Sequence, residues 1–391
     1  VGERCYLDWN ATVPVRPEAA AASAQALRSG LGNASSIHAE GRRARRLLEE
    51  ARAETATLLG AVPEEVVFTS GGTEANVAGL WGLIVRDGRL EGRRLLHSAV
   101  EHPAVVAMAE ELAHLGVTVE AVPVLPSGVL DLAALEDALR RHPEAVVAVQ
   151  LANSETGVMQ DVAAIVATAR AAGASVHCDA VQGAGKVPIA AGAWGVDTLA
   201  VTGHKLGASP GVGALVVRGG AAIAPLIPGS QEGHRRGGTE NLPGIVALGV
   251  AARLAAAELD TWGALLSLRD RFEGEVLQRI HGTVVYGRKA PRLPNTSCVG
   301  LPEGMRGGAV VAALDLEGFA VSSGPACSSG VERGSPTVDA MGFGRQAAER
   351  TLRVSMGPGT GEGEMLGLAV VLEQLTRRSK GVGCDRELPE L

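Results

Sequence analysis

Lysine is nearly missing from this chain. Of 36 basic residues only four are lysine, at 186, 205, 289 and 380. Aromatic residues are scarce too, at 3%, and the net charge is −7. The negative charge and the few aromatics argue against a basic groove or a stacking platform for direct nucleic-acid binding, so any nucleic-acid role would run through a partner. The five cysteines, Cys5, Cys178, Cys298, Cys327 and Cys384, are scattered and form no CxxC pair. An odd, dispersed set excludes a disulfide framework and a zinc site, leaving free thiols. No uninterrupted apolar run approaches a membrane span, and the opening VGERCYLDWN has no signal-peptide core, so a soluble, cytoplasmic chain without a membrane partner is expected.

What is present is a large globular composition: 391 residues, 46% hydrophobic, enough for two or three domains. From about residue 60 to 220, apolar runs (EVVFTS, RRLLHSA, VTVEAVPV, AVVAVQLA, SVHCDA, DTLAVT, GALVV) alternate with helical patterns. Nearly continuous apolar strands between helices imply an α/β fold whose sheet is mostly parallel and covered on both faces. Ligands on such sheets bind at the carboxyl ends of the strands. HAEGRRARRLLEEARAETATLL reads as an amphipathic helix with a solvated arginine face, and long helices are expected in LPGIVALGVAARLAAAELD and from Trp262 to Ile280. A smaller αβ unit follows, with strands near Thr283 to Tyr286, Thr296 to Leu301, Phe319 to Ser323 and Thr351 to Ser355. The end, SKGVGCDRELPEL, reads as a loose tail.

Lys205 stands in AVTGHKLGASPGVGALVV, between two apolar runs. Partial desolvation there lowers an amine's pKa and frees it to form a Schiff base. The other lysines look less suited: Lys186 lies just ahead of Pro188, Lys289 in a polar loop and Lys380 in the charged tail. EVVFTS runs into GGTEAN, so Gly71, Gly72 and Thr73 open a helix whose amides could cradle a phosphate. Asp179 ends an apolar strand, where a carboxylate needs a cationic or hydrogen-bonding partner such as a protonated ring nitrogen. His102 follows another strand, placed to stack on a flat ring. Asn153, Ser154 and Glu155 form a short polar cluster at the next strand end. Each has a bland explanation alone: a capped helix, a capping aspartate, a satisfied loop histidine, a surface lysine. As a set they are the parts that pyridoxal phosphate requires.

In order along the chain, YLDWNATVPV, GNASSIHAEGR, FTSGGTEAN, EHPAV, HCDAVQGAGK, TGHKLGASPGVGAL, RRGGTENLPGIV, SSGPACSSG and LRVSMG resemble the cysteine desulfurases of the class V aminotransferase group, fold-type I pyridoxal phosphate enzymes. The resemblance covers residue 6 to about 375. It implies a large cofactor-binding domain, 14–258, with a mostly parallel seven-stranded sheet, a smaller α/β domain from 1–13 and 259–378 that carries the catalytic cysteine, and a tail, 379–391. It also implies roles. Lys205 would be the Schiff-base lysine and the base and acid at Cα, Asp179 the partner of the pyridinium, Gln182 the partner of the ring's phenolic oxygen, and His102 the stacking ring. Gly72, Thr73, Thr202 and His204 would hold the phosphate, with Thr239 reaching in from the other subunit of a homodimer. Asn153 and Ser154 would contact the cofactor, Asn153 also the substrate, and Arg353 would take the substrate carboxylate through its planar fork. Cys327 would attack the sulfur of L-cysteine, releasing alanine and leaving a persulfide for an acceptor protein.

Three departures from the family pattern stand out. Ser154 replaces a second asparagine, Gly233 and His234 stand where an arginine and a glycine are usual, and Pro325 replaces a small residue two before Cys327. Pro325 fixes φ and removes a donor, so it is expected to stiffen the cysteine segment. GASPG at 207–211 is not a nucleophile elbow, because a strand rather than a helix should follow, and GAGK at 183–186 lacks the rest of a phosphate-binding loop. The alternatives are a selenocysteine lyase, another class V aminotransferase, or a degenerate sulfur-carrier scaffold. Iron-sulfur clusters, thiolated tRNA, cofactors and phosphorothioate DNA are all open as destinations of the sulfur. The arginine bias and the departures near Cys327 point to a specialised, DNA-phosphorothioation member.

Overall fold

The computed structural model describes residues 4–30, 32–85, 88–220, 223–324 and 334–381. Its strands are β1 (Cys5–Tyr6), β2 (Val66–Thr69), β3 (Arg94–Ser98), β4 (Thr118–Val122), β5 (Val146–Gln150), β6 (Ser175–Asp179), β7 (Thr198–Thr202), β8 (Gly213–Val217), β9 (Val284–Val285), β10 (Thr296–Gly300), β11 (Phe319–Ala320) and β12 (Thr351–Ser355). Seven of them form one sheet in the order β2-β8-β7-β6-β5-β3-β4. Only β8 runs antiparallel to its neighbours, so β2, β3, β5, β6 and β7 all deliver their carboxyl ends to one edge. Every residue of β2, β5, β7 and β8 is buried, the reason these strands read as unbroken apolar runs rather than alternating ones. The sheet is that of the expected α/β architecture, seven-stranded and mostly parallel.

A three-stranded antiparallel sheet, β12-β10-β9, and a parallel pair, β1-β11, lie outside the large sheet. Their core gathers Leu7, Phe272, Leu314, Val354 and Leu368, whereas the large sheet's core draws on residues between Ala19 and Ala255. Burying a side chain such as Phe272 completely contributes roughly 2–3 kcal/mol. Asp8 bridges to Ser355, and Ser322 to Arg353. These bridges bring the chain's first residues and β12 up to the carboxyl edge of the large sheet.

Two expectations change. The helix Glu362–Gly381 continues past the predicted start of the tail at residue 379; residues 382–391 lie outside the described residues. The arginine-rich helix Ala39–Leu59 is solvated as expected except at Arg52, which is buried and pairs both Nη atoms with Glu232 at 2.7 and 2.8 Å. Strand β8 follows GASPG, which rules out the nucleophile elbow, and no single helix among the described residues is long and apolar enough to cross a membrane.

Candidate active site

A cavity of about 160 Å³ opens at the carboxyl edge of the large sheet. Strand β7 ends in the turn Gly203–Lys205, which sets Thr202, His204 and Lys205 on the cavity wall. Strand β6 ends at Asp179, with Gln182 in the turn beyond it. His102, Ser154, Gly72, Thr73 and Arg353 complete the predicted residues that line it. Ten of the side chains and backbone positions singled out in the sequence therefore meet in one place, from five strand ends and β12.

The cation side of the site is built around Asp179, which is 5% exposed. Its Oδ2 accepts from Asn76 Nδ2 at 2.7 Å and its Oδ1 from the backbone N–H of Val181 at 2.9 Å. The anion side is the start of the helix Gly72–Ile84, whose first amides lack intrahelical partners. A Cβ added at Gly72 would lie 2.9 Å from Val181 Cγ2 and 3.3 Å from Thr202 Cβ, so only glycine leaves that wall open. Thr73, Thr202 and His204 add donors beside it.

The histidines sit in their neutral forms. His102 Nδ1 accepts from the Ala104 N–H at 3.1 Å as the cap of the helix Pro103–His114, so the proton of the neutral ring is on Nε2. Burial lowers its pKa, and Lys205 adds to the lowering against the pull of Asp179. Burial, Lys205 and His102 bring His204 down to about 4. Lys205 Nζ rests on the carbonyl oxygens of Asn10 and Ala11, the latter at 2.6 Å. Arg353 is 1% exposed, with Nη2 donating to Asp8 Oδ1 at 2.7 Å and Nη1 to the Ser154 carbonyl at 3.3 Å. Its Nε is a buried donor that meets no acceptor among the described residues.

Some predicted residues lie elsewhere. Asn153 does not line the cavity: its Oδ1 accepts from the N–H groups of Glu155 (3.0 Å) and Thr156 (2.8 Å), and its Nδ2 donates to Val100 O and Thr337 Oγ1. Its amide shapes the strand-end turn instead of reaching a ligand, and Ser154 is the member of the pair at the wall. Thr239 is exposed, in the loop before the helix Leu242–Ala257; Arg236 in the same loop donates to Glu74 Oε1 at 2.8 Å. The turn holding Gly233 and His234 is left-handed throughout, with φ of 47° at Glu232, 63° at Gly233 and 65° at His234. Cys327 and Pro325 lie outside the described residues. Cys5, Cys178 and Cys298 are buried, and burial pushes each thiol up, Cys5 to about 12.

The sequence reading missed Asn10 and Asn76, which also line the cavity, and passed over Lys186, which is 3% exposed. It missed Glu101 as well, whose carboxyl burial and Asp179 push well above the usual range. Asn76 was within reach: it lies one turn after Thr73 on the same helix face, among apolar residues.

The site fits pyridoxal phosphate. A donor-rich helix start that admits only glycine suits the phosphate, a held carboxylate suits a protonated ring nitrogen, and a lysine amine lines the same cavity. The comparisons agree. Residues 5–365 match the model of the family described as aminotransferase class V. A cysteine desulfurase of Cereibacter sphaeroides is 42% identical over 374 residues, covering 95% of each chain. A solved NifS-like protein has a TM-score of 0.87 at 30% identity, covering 96% of this chain and all of its own. A solved structure of SspA in complex with cysteine has a TM-score of 0.78 at 28% identity, covering 90% of this chain and 99% of its own. With its cavity residues, its seven-stranded sheet and these likenesses in agreement, the chain belongs to the class V aminotransferase family, and within it to the pyridoxal phosphate-dependent cysteine desulfurases.

Proposed function

We propose that Lys205, Arg353 and Cys327 divide the desulfuration of L-cysteine among them, on a cofactor held by Asp179, Gln182, His102 and the start of the helix Gly72–Ile84. The observation that supports this most is the meeting of Lys205, Asp179, His102 and Arg353 on one cavity wall. Bound pyridoxal phosphate supplies an electron sink for the pair left when Cα loses its proton. Arg353, with two of its N–H groups engaged by Asp8 and Ser154, keeps donors for the substrate carboxylate. Lys205 Nζ takes the Cα proton and returns protons to the product. The Cys327 thiolate bonds to the substrate sulfur as the Cβ–S bond breaks, and the electron pair of that bond stays on carbon. Protonation of that carbon yields L-alanine, and Cys327 keeps the transferred sulfur as a persulfide for an acceptor protein. The working unit is a homodimer in which Thr239, exposed on this chain, serves the phosphate site of the second copy.

Alanine release and protein-bound sulfane sulfur, measured in the same reaction, test the assignment. Lys205→Ala should abolish alanine release, and Cys327→Ala should keep the colour of the bound cofactor yet lose sulfur transfer. Full cysteine-dependent desulfuration by Cys327→Ala would remove Cys327 from the mechanism.

A further inference from the structure

Lys186 is buried behind two residues of the cavity wall. Its Nζ donates to Gln182 Oε1 at 3.0 Å and to Asn10 Oδ1 at 3.1 Å, and lies 5.9 Å from the centroid of the Trp262 ring. No carboxylate pairs with it among the described residues. Burial, with Lys205 and Arg353 nearby, draws its pKa well below that of an ordinary lysine. Two amide oxygens receive its N–H groups.

This contact helps set which way two carboxamides face, alongside the Asn10 carbonyl at Gln182 and the Ser154 carbonyl and Asn295 amide at Asn10. A carboxamide has a donor end and an acceptor end, and a side chain that donates to both residues turns both oxygens toward itself. Gln182 Nε2 is then left to donate to the Asn10 carbonyl at 3.0 Å, with its second N–H available at the cavity it lines. Asn10 Nδ2 donates to Thr296 Oγ1 at 2.9 Å and to the Ser154 carbonyl at 3.2 Å, which locks residue 10 in place. The Asn10 carbonyl is also one of the two on which Lys205 Nζ rests. Without the amine, Gln182 Oε1 loses its donor and only the Asn10 carbonyl still fixes the direction of the amide, so its N–H2 is held less firmly toward the phenolic oxygen of the cofactor.

We propose that Lys186 is a positioning residue for the cofactor site: from behind the wall it holds Gln182 with its N–H2 toward the ring and, through Asn10, fixes the carbonyl that seats Lys205. The proposal rests on the reading of Gln182 as the partner of the ring's phenolic oxygen.

The test titrates pyridoxal phosphate into apo-protein and reads the visible absorbance band and the dissociation constant for wild type, Lys186→Met, Gln182→Leu and the double variant, with circular dichroism confirming the fold. Lys186→Met should shift the band in the same direction as Gln182→Leu and weaken binding about tenfold. The double variant should lose less than the two single losses combined. A wild-type band and affinity in Lys186→Met, or losses that add in the double variant, would overturn the proposal. A shifted band in Lys186→Met with a wild-type band in Gln182→Leu would instead break the reading of Gln182, and the proposed route with it. If Lys186→Met does not fold, Lys186→Gln, a shorter donor, should give a smaller shift in the same direction; no shift there would equally overturn it.

Discussion

Asn76 donates to Asp179 Oδ2 at 2.7 Å and accepts from His177 Nε2 at 3.0 Å. The carboxylate can only accept, so it fixes the direction of the whole row: Asn76 turns its N–H2 to Asp179, His177 carries its proton on Nε2, and Nδ1 accepts from Thr198 Oγ1 at 2.9 Å. The helix makes room for the row with glycine, since a Cβ at Gly79 would lie 2.6 Å from His177 Nδ1. Asn76→Ala therefore leaves one carboxylate oxygen short of a donor and a buried N–H without an acceptor. Urea denaturation of the apo-protein should show a loss of roughly 1–3 kcal/mol. Asn76→Asp should lose more, because it sets a second carboxylate beside the first; an unchanged midpoint in Asn76→Ala would count against the row.

His177 also gives the protein an acid-sensitive limb. Burial holds its folded-state pKa at about 3, against 6.5 for an unhindered histidine. The folded state thus binds fewer protons than the unfolded one over that interval. Its contribution to stability is complete above 6.5 and is lost as pH falls from 6.5 toward 3, at up to about 1.4 kcal/mol per pH unit. Denaturation midpoints measured from neutral pH downward should fall more steeply for wild type than for His177→Gln. Parallel curves would show that His177 does not set this limb.

The sheet and the principal site residues were legible because their signals are local. A buried parallel strand shows itself as an apolar run, and Lys205, Asp179, His102 and Thr73 each stand within a few residues of the end of one. Asn76, Asn10 and Lys186 were not legible, because their roles come from contacts made only when the sheet assembles. Lys186 meets Asn10 across 176 positions, and Asn76 meets Asp179 across 103. Its place just ahead of Pro188 made Lys186 look less suited to chemistry, although at 3% exposure it is among the most buried basic side chains of the described residues. Asn153 misled in the opposite sense: a short polar residue at a strand end is as well suited to shaping a turn as to binding a ligand, and here its oxygen is committed to the N–H groups of residues 155 and 156. The helix end at Gly381 was hidden by a charged run, RRSK, in which Arg377 pairs with Glu373 one turn back along an exposed face.

Arg353 depends on Asp8 for its aim. Asp8 Oδ1 accepts from Nη2 at 2.7 Å while its Oδ2 accepts from Ser322 Oγ at 2.9 Å, so one carboxylate ties β12 to the opening segment of the chain. Asp8→Asn keeps the shape and removes the charge. Steady-state kinetics should show the KM for L-cysteine rising about tenfold with a smaller change in kcat, as expected when an interaction that orients the substrate-binding group is weakened. A drop confined to kcat would place Asp8 in a different role.

The turn at 232–234 carries a strain that the usual family pattern avoids. His234 has φ of 65°, a left-handed conformation that brings Cβ against the backbone, and its side chain is exposed. Glu232, also left-handed, is held there by Arg52 and by the N–H of Phe68 at 2.8 Å, so the buried ion pair imposes the turn and His234 must follow it. Glycine at 234 removes the steric penalty and gives back part of the gain through the greater freedom of the unfolded chain. His234→Gly should therefore stabilise the protein by about 0.5–1 kcal/mol. Glu232→Ala should do the reverse by about 3 kcal/mol, since it leaves the buried Arg52 guanidinium with no carboxylate at its two Nη atoms, only Glu49 remaining at Nε, and the Phe68 N–H without its acceptor. Thermal denaturation of the two variants beside wild type decides it: a His234→Gly protein that melts lower than wild type would mean that the histidine ring makes a contact worth more than the strain it imposes.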